Sequence, residues 1–90
     1  MELKELRTQI DEIDDQLITL FARRMEISAA IGSYKKERGL PILVPQRELE
    51  KLADIGEKAG PELSDFAQRL YQQIFALSRE YQGMKNGEVK

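Results

Sequence analysis

Residues 2–38 read ELKELRTQIDEIDDQLITLFARRMEISAAIGSYKKER, and this stretch decides the fold. It contains no Pro and a single Gly, Gly32. Its apolar positions are Leu3, Leu6, Ile10, Ile13, Leu17, Leu20, Ile27, Ile31 and Tyr34, spaced three and four apart with one gap of seven. That period of about 3.5 residues predicts one helix with a seam like that of a coiled coil. Acidic residues crowd its first half and Lys35, Lys36 and Arg38 its end, as the helix dipole favours. Gly39, with Pro41 two residues on, reads as the stop. Such a helix is about 50–55 Å long at about 1.5 Å per residue. A compact chain of this size has a radius of gyration of only about 12 Å. The helix therefore overhangs its own domain, and a second copy of the chain is the simplest cover for its seam.

Outward from this helix, residues 39–45 form a connection, and Pro45 reads as the first residue of a second helix, where its missing N–H costs nothing. Leu49, Leu52, Ala53 and Ile55 give that helix an apolar side, and Gly56 and Gly60-Pro61 read as its end. Leu63, Ala67, Leu70, Ile74, Leu77 and Tyr81 mark a third helix. The tail, residues 83–90, lacks an apolar pattern and reads as frayed. The expected fold is all-α: three helices, one very long, in an intertwined homodimeric bundle forming one domain over residues 1–90, with its core at 3–82.

Composition narrows the chemistry. Apolar residues make up 41% of the 90 and charged residues 33%, which excludes a membrane protein and a disordered tail. No apolar run approaches the roughly 20 residues that span a bilayer. The N-terminal residues Met1-Glu2-Leu3-Lys4-Glu5 do not read as a signal peptide. A net charge of −2 argues against nucleic-acid binding. There is no Cys and no His, so thiolate chemistry, disulfides and the commonest metal ligand are absent. We expect no metal, no cofactor and a cytoplasmic location. Chemistry is left to Arg, Lys, Asp, Glu, Ser, Gln and Tyr.

Some polar residues stand where apolar ones are due. Arg24 fills the seam position between Leu20 and Ile27. An unpaired guanidinium there is expensive to bury. Either Arg24 snorkels or pairs with an acid such as Asp14 or Glu48, or it faces an anion-binding cavity inside the bundle. Lys35 lies eleven residues on, three turns plus roughly 20°, hence on nearly the same face about 16 Å away. A ring bearing carboxylates fits between the two heads, although Lys35 taken singly also serves as a solvated cation at a helix C-terminus. Ser78 and Gln82 share one side of the third helix, where a surface role is the ordinary one. Arg47-Glu48 opens the second helix, with Glu48 suiting the dipole and Arg47 opposing it. Arg7 lies beside the seam early in helix one, where an exposed ion pair also accounts for it.

Taken together, Arg7, Asp14, Arg24, Gly32-Ser33-Tyr34-Lys35, Arg47-Glu48, and Ser78 with Gln82 resemble the all-α chorismate mutase family in order and spacing over residues 3–82. The resemblance implies two intertwined three-helix chains with two shared sites. It implies that Arg7 is donated to the partner's site, where it and Arg24 grip the two carboxylates of chorismate. Lys35 then contacts a carboxylate and the ether oxygen, and Gln82 the same ether oxygen. Glu48 takes the ring hydroxyl, Ser78 assists a carboxylate, and Arg47 lines the pocket. Where the family often has Asp, this chain has Val44, which can offer the hydroxyl only its backbone and is a poor N-cap.

The implied reaction is a Claisen rearrangement of chorismate to prephenate, on the route to phenylalanine and tyrosine. A C–O bond breaks while a C–C bond forms within one molecule, so neither a nucleophile nor a proton carrier is needed. The expected catalytic set is Lys35, Gln82 and Glu48. Two alternatives remain at this level: an isochorismate pyruvate-lyase of the same fold, and a helical dimerisation or regulatory module without catalysis.

Overall fold

The computed structural model describes residues 2–87, and these form three α-helices with no strand among them: α1 (Leu3–Glu37), α2 (Pro45–Ala59) and α3 (Ser64–Lys85). The all-α class and the bounds of α1 agree with the sequence reading. A Schellman-type closure ends α1, with Gly39 N–H donating to Lys36 O at 3.3 Å and Leu40 N–H to Lys35 O at 2.8 Å. It needs a left-handed residue at its centre, which Gly39 supplies at φ 66°.

Two sequence expectations change. Gly56 does not end α2; it is buried within it. A Cβ there would stand 2.6 Å from Gln68 Nε2 and 2.7 Å from Ser64 Oγ, so the glycine marks a close approach of α2 to α3. Residues 83–85 are helical rather than frayed, because Asn86 ties the end of α3 to α1. Ser33 Oγ donates to Asn86 Oδ1 at 3.2 Å, and Lys36 Nζ donates to Asn86 O at 2.6 Å. Residues 88–90 of the expected tail lie outside the described residues.

α3 is the hub. Both α1 and α2 pack on it, while α1 and α2 do not pack on each other. Only the C-terminal half of α1 meets α3; its N-terminal half projects. The chain measures 54 Å along its long axis, with a radius of gyration of 16.2 Å. On the projecting half, Leu3, Leu6, Ile10, Ile13, Leu17 and Leu20 are between 44% and 62% exposed. Among the described residues Phe75 is the one large apolar side chain that is buried. The other buried positions among the described residues are Ser28, Gly32, Gly56, Ser78 and Gln82. A chain with almost no apolar core of its own leaves its apolar stripe uncovered, and its tightest packing falls around polar side chains.

That packing centres on Gly32. A Cβ there would lie 3.0 Å from both Cβ and Cγ of Gln82 and 2.9 Å from Asn86 Nδ2. Asn86 can yield, but the Gln82 stem cannot without parting the helices. Gly32→Ala gains the helix propensity of alanine, about 0.5–1 kcal/mol. It also incurs an overpacking cost of about 1–3 kcal/mol. The expected net result is a lower urea midpoint, in contrast to the gain an unobstructed helical glycine would give.

Candidate functional site

One cavity of about 300 Å³ opens where the C-terminal half of α1, the segment 42–44, the start of α2 and the end of α3 converge. Its wall includes Arg24, Lys35, Val44, Arg47, Glu48, Ser78 and Gln82, which lie on four separate stretches of chain. Arg7 is absent from this wall and is exposed. It lies seventeen residues before Arg24 on the same helix, about 25 Å along the axis, beyond the reach of its side chain.

Local structure sets each group. Arg24 sets its guanidinium against the edge-to-face pair Tyr71 and Phe75, 5.8 and 5.7 Å from the ring centroids, and donates from Nη1 to Ser78 Oγ at 3.1 Å. Of the two sequence readings for Arg24, it takes neither the Asp14 nor the Glu48 pairing; it lines the cavity. The flanking rings favour a cation electrostatically and leave its remaining donors for an anion. Lys35 turns across the closing loop and donates from Nζ to Ile42 O at 3.0 Å, which anchors the wall segment 42–44. Val44 caps α2 without a side-chain bond, as expected of valine.

Gln82 is 7% exposed. Its Nε2 donates to Ser28 O at 2.9 Å and lies 3.0 Å from Ser28 Oγ, while its Oε1 is buried without a partner. The amide hydrogens expected at a substrate oxygen are thus directed at Ser28. The Ser28 carbonyl holds the amide in this sense, since turning it over would set Oε1 against a second acceptor.

Three polar wall residues escaped the sequence reading: Ser28, Lys51 and Arg79. Ser28 lies four residues after Arg24, and Lys51 four after Arg47, so extending each helix face by one turn would have found both. Arg79 follows Ser78 directly and points about 100° away from it, so no periodicity signals it. It pairs across α2 and α3 with Glu48, its Nη1 on Glu48 Oε2. Lys51 Nζ lies 3.5 Å from Asp54 Oδ2, and Lys58 Nζ 2.9 Å from it. The hydrogen bond from Lys58, helped by Lys51, lowers the Asp54 carboxyl below its ordinary pKa.

The wall therefore carries Arg24, Lys35, Arg47, Lys51 and Arg79 against the single carboxylate of Glu48. Half-enclosed space with this excess of cations suits a compact polyanion. The apolar sides of Ile27, Ile31 and Val44 suit a ring between its charged ends.

The sequence profile of the family described as chorismate mutase type II matches residues 6–83. A T-protein of Haemophilus influenzae is 36% identical over 85 residues, which is 88% of this chain and 22% of that protein. The intracellular chorismate mutase of Mycolicibacterium smegmatis is 36% identical over 69 residues, 77% of this chain and 66% of the relative. A bifunctional chorismate mutase/prephenate dehydratase of Aquifex aeolicus is 47% identical over 49 residues, 54% of this chain and 14% of the relative. The chain thus spans about a fifth of the T-protein it matches and a smaller share of the bifunctional relative. No solved structure matches it significantly.

The Gln82 environment generates a pH prediction. In Gln82→Glu, burial and the facing Ser28 carbonyl both oppose ionisation, so the folded-state pKa rises above the unfolded value of about 4.3. The ionised form therefore destabilises the fold above that raised pKa. The penalty is relieved as pH falls through it, because a protonated carboxyl donates to Ser28 as Nε2 does. The gap in urea midpoint between this variant and the parent should narrow from about pH 7 to about pH 5. A gap constant with pH would place the introduced carboxylate in contact with the cavity cations instead.

Proposed function

The chain belongs to the chorismate mutase type II family, and from that premise we propose that it converts chorismate to prephenate as a homodimer, with each site completed by Arg7 of the partner subunit. The observation that carries the proposal is the single cavity in which Arg24, Lys35, Arg47, Glu48, Ser78 and Gln82 meet while Arg7 stands far outside it. The uncovered seam of α1 supports the dimer: a second copy laid along Leu3 to Leu20 would bury that stripe and bring a foreign Arg7 within range.

In this reading the cations act first on shape. Arg24, with the partner's Arg7, fixes two carboxylates and so holds the enolpyruvyl side chain folded over the ring. The reacting carbons are then close before the bond begins to form. As the C–O bond breaks, negative charge grows on the ether oxygen. Lys35 Nζ, released from Ile42 O, and Gln82 Nε2, released from Ser28, are the donors for that charge. Each exchanges a bond within the protein for one that strengthens in the transition state, the difference that accelerates a reaction. Glu48 accepts the ring hydroxyl. No proton is transferred and no covalent adduct forms. No described helix is long and apolar enough to cross a membrane, and with no Cys the chain suits the reducing cytoplasm.

The direct test follows chorismate absorbance with purified protein in the presence of EDTA. Loss of chorismate with stoichiometric prephenate is expected. Pyruvate released from isochorismate, with chorismate untouched, would instead establish the lyase reading. Lys35→Ala should lose about 10²–10³-fold in kcat, as for removal of one fixed donor at a developing oxyanion.

Arg7→Ala and Lys35→Ala, each nearly inactive, should complement one another when refolded together. A mixed dimer then holds one intact site and one doubly mutated site. An equal mixture should recover about a quarter of the parent activity, as random pairing in a two-fold dimer gives. No recovery would mean that Arg7 does not act across chains.

A further inference from the structure

Resting on the reading of the cavity as a chorismate site, we propose that Arg79 is a positioning residue for Glu48: it holds the one acid of the wall away from the cations that must receive the substrate. Glu48 stands on the first turn of α2, and Arg79 on the last turns of α3. Their ion pair joins the two helices, Nη1 of Arg79 on Oε2 of Glu48. The two side chains are 34% and 28% exposed, so the pair is partly shielded from solvent. Both residues also border the neighbouring apolar groove of Leu43, Leu49 and Leu52, so the pair forms the partition between groove and cavity.

Two constraints make that partition matter. The ligand is a dianion, and a carboxylate in the same cavity repels it unless neutralised. A Glu48 free to swing would find Lys51, three residues on along its own helix, and could occupy the anion site itself. The other constraint is at residue 44. With Val44 in place of an acid, Glu48 is the one side-chain carboxylate of the wall that can accept a ring hydroxyl. Fixing Oε2 on Arg79 leaves Oε1 in a defined place for that hydroxyl. Arg79 thus acts through Glu48, without touching the ligand.

The test is calorimetric titration of prephenate, which retains two carboxylates and a ring hydroxyl, into the intact dimer. The proteins are the parent, Arg79→Ala, Arg79→Lys, Glu48→Gln and the double variant Glu48→Gln/Arg79→Ala. Circular dichroism and urea midpoints accompany each titration, and Arg79→Met replaces the alanine variant if that one fails to fold. Arg79→Ala should weaken prephenate binding about three- to fivefold, on the scale of a partly exposed ion pair lost, and Arg79→Lys should regain most of it. In the Glu48→Gln background, removing Arg79 should change affinity less than about twofold, because no carboxylate remains to be restrained. Equal losses in both backgrounds would overturn the proposal and make Arg79 a direct ligand of the anion. No loss in the parent background would overturn it too. Failure of the parent itself to bind prephenate would instead overturn the mutase reading on which this inference rests.

Discussion

A helix of thirty-five residues cannot be covered by the fifty that follow it, and the rest of the structure depends on that mismatch. α2 and α3 together reach only the C-terminal half of α1. The half that remains carries a continuous apolar stripe in solvent, while the interior of the single chain holds one buried phenylalanine. Burial at about 25 cal/mol per Å² is the main favourable term in folding, and here most of the surface able to supply it faces outward. The same projection that leaves the seam bare carries Arg7 far from its own cavity, so the proposed dimer and the proposed completion of the site would both follow from the length of one helix.

The interior volume that the fold does create is polar, unlike an ordinary core. Ser28, Ser78 and Gln82 are its most enclosed side chains, and Gly32 lets the helices close upon them. Three polar side chains of the cavity have partners within the chain: Arg24 holds Ser78, Lys35 holds the carbonyl of Ile42, and Gln82 holds Ser28. This keeps the cost of burying cations and amides low until a ligand offers better acceptors. The exception is Gln82 Oε1, an orphan acceptor that costs free energy in the resting arrangement. Turning the amide would not relieve that cost, because Oε1 would then face the Ser28 carbonyl.

The sequence was most legible where periodicity speaks. The steps of three and four in α1, the stop at Gly39 and the start at Pro45 follow from the geometry of a helix and the stereochemistry of Gly and Pro. It was less legible where glycine has two uses. Gly56 reads as punctuation in one dimension, yet it is buried mid-helix because α3 passes too close for a Cβ. Residues 83–85 lack an apolar pattern, yet they stay helical because Asn86, a polar residue, anchors them to Ser33 and Lys36 across the bundle. Pattern reading weighs apolar spacing, and these two features rest on steric approach and polar clasping between distant residues.

By itself the sequence determined the helical class, the excessive length of α1, the absence of Cys and His, and a cation on a seam that should be apolar. Each of these is local or compositional, fixed by residue type and by a spacing along one helix. Only the tertiary structure decided which polar residues share a cavity. Arg24, Glu48 and Ser78 are brought together by the packing of α1 and α2 on a common α3, over separations of tens of residues that no periodicity records. It alone decided that Arg79 meets Glu48, since a contact between two helices depends on their crossing and rotation rather than on the pattern of either. It alone decided that Gln82 turns its amide to Ser28, because a buried side chain takes the partners that the surrounding backbone leaves within reach.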